Sequence, residues 1–437
     1  MNSHKTDFAT KHRPNCGVGR ARRCRGVAID PRRCSLILAL LPAFFLSAAS
    51  EAAAQKETVL HKFTGNADGA APNAPLLRDD DGNLYGTATL GGNLNDCDVQ
   101  GCGTVFKLSK TGELSTLYAF SGGDDGKYPN GPLVRDAEGN LYGTTSQGGT
   151  GGGVVFKVTS SGEETVLYTF GSQAEDGALP MAGLVRDSDG NLYGTTFAGG
   201  GNCPGYGCGT VYEVTPSGTE RILWRFGHVA NDGLNPFYTT LIRDEHGNMY
   251  GTTQYGGTNP GPDGTGLGTV FKVSAAGEEK VLYSFTGRTG GSFPYAGLVR
   301  DSNGNLYGTD AGYVFEITAS GEEKTIYEFQ ISSGDGYGSI ANLLRDANGD
   351  LYGTTFQGGT YGGGTVFRVT ASGKETMRYS FYTNPSNTYA PRGQWPGGGV
   401  IQDAEGDLYG TTTYGGDFNS AYFCQNAGCG VLFELTP

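Results

Sequence analysis

Histidine is nearly missing from this chain: there are five among 437 residues, and only His61, His228 and His246 lie beyond residue 54. Imidazole is the side chain that titrates near neutral pH, so its scarcity removes the commonest general acid and base of enzymes. There is no Gly-x-Ser-x-Gly nucleophile elbow, no His-Glu-x-x-His helix motif and no phosphate-binding loop. The serine-hydrolase, zinc-protease and nucleotide-hydrolase classes that those signatures mark are excluded. Tryptophan (two) and methionine (four) are rare, and charged residues make up only 17%. Long apolar runs are absent with one exception, Leu36 to Leu46, which is too short to span a bilayer comfortably. No membrane span is expected. No window in the repeat region has a helical period, so helices are not expected either.

What the chain does have is repetition. The motif Leu/Met-Tyr-Gly-Thr occurs seven times, with tyrosines at Tyr85, Tyr142, Tyr193, Tyr250, Tyr307, Tyr352 and Tyr409, spaced 57, 51, 57, 57, 45 and 57 residues apart. A period in that range marks a repeat architecture in which each copy buries its faces against its neighbours. Each copy holds four short runs rich in Val, Ile, Tyr, Phe and Thr, bounded by Gly, Asp, Asn and Ser, which is the signature of strands and hairpins. In the third copy the runs, here named a to d, are 183–187, 192–196, 209–215 and 220–226. The 76 glycines concentrate in the turns and loops between runs, where a positive φ is needed.

The chain ends decide between a closed ring and an open stack. The first run after the leader, 57–63, is of type d, whereas the last, 430–436, is of type c with nothing after it. Seven runs of each type are present only if the seventh d comes from the N-terminal side. An open solenoid has no reason to be permuted in this way, but a ring that pairs 57–63 with 430–436 removes both exposed sheet edges. The fold expected is all-β: a seven-bladed propeller of four-stranded blades over residues 57–437. A propeller also accommodates about 380 residues, more than the roughly 250–300 at which one hydrophobic core stops growing.

Residues 1–54 read differently. Nine Lys/Arg against three acids, then the apolar run, then Ala48-Ala49-Ser50 and Ala52-Ala53-Ala54, match an export signal cleaved near Ser50 or Ala54. An exported, soluble protein, periplasmic or extracellular, is expected. Without the leader 22 basic residues face 41 acidic ones, a net charge of about −19, which argues against nucleic acid or anionic membranes as partners. A monomer is expected.

Beyond the leader six cysteines form three pairs with one spacing, Cys97/Cys102, Cys203/Cys208 and Cys424/Cys429, all between runs b and c. An exported protein meets an oxidising compartment, so local disulfides are expected. A four-cysteine zinc site is the competing reading, but the spacing is poor and the Cys203/Cys208 pair has no second pair to join.

The recurrent Leu-Val-Arg-Asp-x-x-Gly-Asn-Leu-Tyr-Gly-Thr-Thr, followed by Gly-Gly and then Gly-Thr-Val-Phe-Lys-Val, resembles the GloVer tandem repeat of exported bacterial proteins over all of residues 57–437. The fifth copy departs from it: Gly308-Thr309-Asp310-Ala311-Gly312-Tyr313 skips the Gly-Gly loop. The Asp-x-x-Gly-Asn-Leu-Tyr stretch is also similar to NHL-type propeller repeats. These resemblances imply a fold and an exported location, and no activity.

Two places invite chemistry. The a–b turns, such as Asp187-Ser188-Asp189-Gly190-Asn191, space oxygen ligands like a calcium loop. Tight-turn hydrogen bonding is the reading preferred, because no downstream Glu completes a cage and Asp136-Ala137-Glu138-Gly139-Asn140 changes the side-chain length. No cofactor is expected beyond this calcium alternative, and no metal-ligand set stands out. The second place is the d–a loop, with its Asp-Gly-x-x-Pro pattern. In a four-stranded blade the d–a and b–c loops share one face, and here those are the long, variable ones. Loops on a rigid scaffold carry binding, so the candidate ligand-binding residues are Asp125, Tyr128, Asp176, Asp232, Phe237, Tyr295, Tyr337 and Trp395. The plain alternative is that Asp caps the loop, Pro stiffens it and the aromatics cover the blade tops. The function expected is a binding scaffold for a protein or polysaccharide, without established activity. The alternative is a carbohydrate-active hydrolase or lyase with a carboxylate pair near the central channel.

Overall fold

In a computed structural model, residues 55–437 are described except 98, 174, 202, 204–206, 263, 288–290, 331–333, 384–391, 417–423, 425 and 426. The expected export signal lies outside the described residues. All regular elements among them are strands. Seven antiparallel sheets follow the order a-b-c-d, each from one repeat, here called blades 1 to 7. In blade 3 the strands are Val185–Arg186, Leu192–Thr196, Thr210–Val214 and Glu220–Arg225. Strand a is thus shorter than the sequence suggests; its remaining residues run on as loop toward the ring centre.

Blade 7 closes the ring as expected. Lys56–Lys62 pairs antiparallel with Val431–Thr436, from Lys56 opposite Thr436 to Lys62 opposite Val431. The Phe63 amide donates to the Gly430 carbonyl at 3.0 Å.

Seven aromatic pairs hold neighbouring blades together. The last aromatic of strand d in one blade meets the c-strand aromatic of the next edge to face: Phe120 with Phe156, Phe170 with Tyr212, Phe226 with Phe271, and onward to Phe63 with Phe106 across the closure. Centroid distances in these four pairs run from 4.8 to 5.2 Å, and these rings are fully buried. Each such contact contributes about 0.5–1.5 kcal/mol beyond burial.

The motif glycine follows from this packing. A Cβ on Gly86 would lie 2.6 Å from the Phe106 ring, on Gly251 2.7 Å from Phe271, and on Gly410 2.5 Å from Phe433. The strand can pass under the ring only without a side chain. The motif threonine reaches across to the next blade: Thr144 Oγ1 donates to the Ala182 carbonyl (2.8 Å), Thr252 to Ala296 (2.7 Å) and, at the closure, Thr411 to Ala74 (3.2 Å). Strand d, the outer edge of every blade, carries a bulge at one place in all seven, as between Val166 and Tyr168 and between Val59 and His61. A bulge blunts an edge against pairing with another chain.

Candidate functional site

The face carrying the a–b and c–d turns is structurally spent. In blade 4 Asp244 Oδ1 accepts from the Asn248 amide (2.8 Å), and Oδ2 accepts from Asn248 Nδ2 (2.8 Å) and from the hydroxyl of motif Tyr250 (2.9 Å). Those donors hold the Asp244 carboxyl down at about 2 despite the opposing effect of burial. Asp79, Asp136, Asp187 and Asp301 do the same with Tyr85, Tyr142, Tyr193 and Tyr307. The strand-a arginine of the next blade stacks on that tyrosine, as Arg186 on Tyr142 at 5.6 Å. These oxygens serve the turn and the blade seam, and no cluster fit to hold a metal ion occurs among the described residues.

On the opposite face the d–a loop holds its aspartate beside the outer strand. Asp125 accepts from the Tyr118 hydroxyl (3.0 Å), the Ser121 amide and the Ser121 hydroxyl (2.7 Å each). Asp176 accepts from the Tyr168 hydroxyl and the Gly171 amide. Asp232 accepts from the amides of Gly227 and Gly233, and burial pushes its carboxyl up to about 6. These three therefore cap their own loops at the rim, away from the ring centre.

Next to each stands a glutamate that opens strand d of the following blade. Burial first, then the charge of Asp125, raises Glu164 to about 7; Glu220 with Asp176, Glu279 with Asp232 and Glu375 with Asp335 behave alike. Each of these glutamates buries an Oε1 that has no hydrogen-bond partner. Between blades 6 and 7 the loop aspartate is replaced by Arg392, whose Nε lies 3.5 Å from Glu57. Between blades 7 and 1 the glutamate is replaced by Leu114, and His61 takes the tyrosine place against Asp68 (3.1 Å).

The residue before the loop proline, or before Ser339 in blade 6, is left-handed in every blade, though only one is glycine: Ala71, Tyr128, Leu179, Asn235, Phe293, Gly338 and Trp395 have φ between 52° and 71°. Each amide donates to a carbonyl of the preceding blade, as Tyr128 to Cys102 and Trp395 to Gly363 (2.8 Å each). In five blades the carbonyl then accepts from the end of strand b, as Trp395 from Thr413 (3.0 Å). Two hydrogen bonds over-determine a conformation that costs of the order of 1 kcal/mol per residue. The effect is to lift these side chains onto the elaborated face.

Behind that residue the chain turns inward and lines the mouth of the central channel. A cavity of about 300 Å³ opens there, bounded by Asn73, Asn130, Met181, Tyr238, Asn342, Phe356, Trp395, Thr413 and Tyr414 among others. Among the described residues, none of the lining side chains is Asp, Glu, His, Lys or Arg. The ring is asymmetric here. Blades 7, 1 and 2 supply a polar arc: Thr413 Oγ1 donates to Asn73 Oδ1 (2.6 Å), Asn73 Nδ2 to Thr89 (3.3 Å), Thr89 to Asn130 Oδ1 (3.0 Å) and Asn130 Nδ2 to Ser146 (3.2 Å). Blades 3 to 5 supply an aromatic group in which Phe237 packs on Phe197, Tyr238 and Tyr295 at 4.3–5.9 Å. Blades 6 and 7 supply Phe356, Trp395 and Tyr414, with Trp395 5.3 Å from each of the others.

Of the eight residues singled out from the sequence, Trp395 lines the mouth, and Phe237 and Tyr295 pack beside it through Tyr238. Tyr128 lies under Lys127 at 5.2 Å and Tyr337 bonds Gln357, both on their own loops. Sequence reasoning missed Asn73, Asn130, Asn342, Phe356 and Tyr414. Their signal is that they stand where the copies fall into small groups: Asn73 matches Asn130, Phe356 matches Phe197 and Tyr414 matches Tyr255. The three expected disulfides are formed: Cys97–Cys102, Cys203–Cys208 and Cys424–Cys429, at the edge of this face.

Comparison with known proteins adds the following. The extracellular domain of a putative hybrid two-component system from B. thetaiotaomicron is similar in structure, with a TM-score of 0.54 and 12% identity, over 86% of this chain and 39% of that one. The extracellular domain of a putative one-component system from the same organism gives 0.52 and 11%, over 85% and 39%. The chain thus spans about two fifths of the length of these structures, and at such identity the likeness concerns the fold. No curated protein matches the chain. The disulfides fit an exported protein, and no helix among the described residues is long and apolar enough to cross a membrane. The Gloeobacter/Verrucomicrobia repeat matches residues 48–206 and 153–311, together more than half of the sequence, and the chain belongs to that repeat family.

Proposed function

We propose that this protein is an exported, monomeric binding module, periplasmic or extracellular, that takes its ligand over the channel mouth of the elaborated face. One observation carries the reading. Repeat positions that build the ring hold similar residues from blade to blade, whereas those around the mouth vary: Asn73 and Asn130 follow the loop proline in blades 1 and 2, but Met181, Phe237, Tyr295 and Gly397 follow it in blades 3, 4, 5 and 7, and the result brings aromatic and amide groups into one cavity. A scaffold that needed only to fold would have no use for that asymmetry. A hydrolase or lyase would need an acid and a base at the mouth. The acids of this face, Asp68, Asp125, Asp176, Asp232 and Asp335, are instead bound to their loops at the rim.

The test is an array of glycans and peptides probed with the protein and with a Tyr238→Ala/Trp395→Ala variant. A ligand held by the first and lost by the second is expected. Turnover of a chromogenic glycoside, abolished by a single Asp→Asn change, would defeat the binding-only reading.

A further inference from the structure

We infer that the mouth receives the uncharged end of a carbohydrate, a single neutral sugar ring or two. This rests on the binding reading above and names its ligand class. Three features of the cavity select it. The first is charge. With no ionisable group other than tyrosine in its lining among the described residues, the cavity offers no counter-ion there to a uronate, a phosphate or a peptide terminus. Desolvating such a charge without a partner is costly, and the net charge of the ring repels anions at long range.

The second is the division of the wall. A pyranose has a C–H face and a rim of hydroxyls. Its C–H bonds carry slight positive charge and suit the negative face of an aromatic ring. Trp395, Phe356 and Tyr414 form one such platform, and Tyr238 another. In the amide arc Asn73 keeps one N–H of its Nδ2 for a hydroxyl, while both N–H of Asn130 are taken by Tyr128 and Ser146, which leaves Asn130 as an acceptor. The third is spare hydrogen-bonding capacity. Asn342 commits its Oδ1 to the Gly297 amide at 2.7 Å, and no protein acceptor takes its Nδ2 among the described residues. The same holds for Trp395 Nε1 and for the hydroxyls of Tyr238 and Tyr414. The volume, about 300 Å³, is at the lower end of ligand-sized cavities and admits a chain end rather than a chain.

The chain's two tryptophans make this measurable. Trp224 lies on the outer strand of blade 3 and Trp395 at the mouth, so Trp224→Phe leaves one reporter. Cellohexaose, xylohexaose, mannohexaose and maltohexaose are titrated against the Trp224→Phe protein, beside polygalacturonate, hyaluronan and a neutral hexapeptide mixture. At least one neutral oligosaccharide is expected to shift Trp395 emission saturably, and calorimetry is expected to show affinity falling about tenfold or more in Trp395→Ala and several-fold in Tyr238→Phe, which removes only a hydroxyl. Thermal melting of each variant reports that the ring is intact. If only an acidic polymer or a peptide shifts Trp395, the carbohydrate inference falls and the binding reading stands. If no probe does so at millimolar concentration, both fall.

Discussion

Four of the seven blade seams bury a glutamate against an aspartate of the neighbouring loop, and the sign of the resulting pH dependence can be worked out. Glu164, Glu220, Glu279 and Glu375 each have a folded-state pKa near 7, against an ordinary value of 4.5. A raised carboxyl binds its proton more tightly in the folded ring than in the unfolded chain. Stability is therefore present at low pH and lost as pH rises through the window from about 4.5 to about 7. Undiscounted, such a shift is worth about 3 kcal/mol. The side chains are partly exposed, and solvent screening brings this to about 1 kcal/mol each. The seams are far apart, so the effects should add to about 4 kcal/mol in a Glu164→Gln/Glu220→Gln/Glu279→Gln/Glu375→Gln variant. With an unfolding entropy of about 2 cal/mol/K per residue, that is an increase of about 5 °C in apparent melting temperature at pH 8. At pH 4.5, where the wild-type glutamates carry their protons, the difference should vanish. Scanning fluorimetry across pH 4.5–8.5 reads it directly. A variant that melts lower than wild type at pH 8, or a difference independent of pH, would refute the argument, since the glutamates would then be making favourable contacts.

Further expectations follow from the same seams. Arg392→Asp turns the ion pair with Glu57 into a fifth acid pair, so it should destabilise at pH 8 and much less at pH 5, as the same melts would show. Gly251→Ala forces a methyl against the Phe271 ring and should cost about 1–3 kcal/mol by urea titration; Gly312→Ala, where an added carbon meets nothing, should cost less. Cys203→Ser/Cys208→Ser should lower stability by roughly 2 kcal/mol, with reductant lowering wild type in the same sense. A chelator should leave the melting curve unchanged, because the turn aspartates are already occupied by Asn and Tyr donors.

The architecture was legible because propeller structure is written in what recurs. Tyrosine, glycine and threonine of the motif return at each blade because each meets a recurring partner: the turn aspartate, the c-strand ring and the neighbour's carbonyl. The displaced d run at 57–63 was enough to predict closure, since only one unpaired c strand awaited it. Recurrence was a poorer guide to the site. Asp125, Asp176 and Asp232 stood out because their pattern repeats, and that pattern reflects loop capping at the rim. Tyr238 and Asn342 repeat nothing, and Asn73 recurs only as Asn130. Sequence alone gives no reason to bring together residues hundreds of positions apart, and only the circular geometry makes them neighbours.

Closure has a further consequence for how the protein comes to exist. The strand from Lys56 to Lys62 precedes its partner, Val431–Thr436, by the whole length of the ring. In a polypeptide emerging from its amino end, an unsatisfied β-segment must wait through six blades' worth of chain. The seam with Phe63 against Phe106 and Thr411 against Ala74 can therefore form only after all the intervening blades exist.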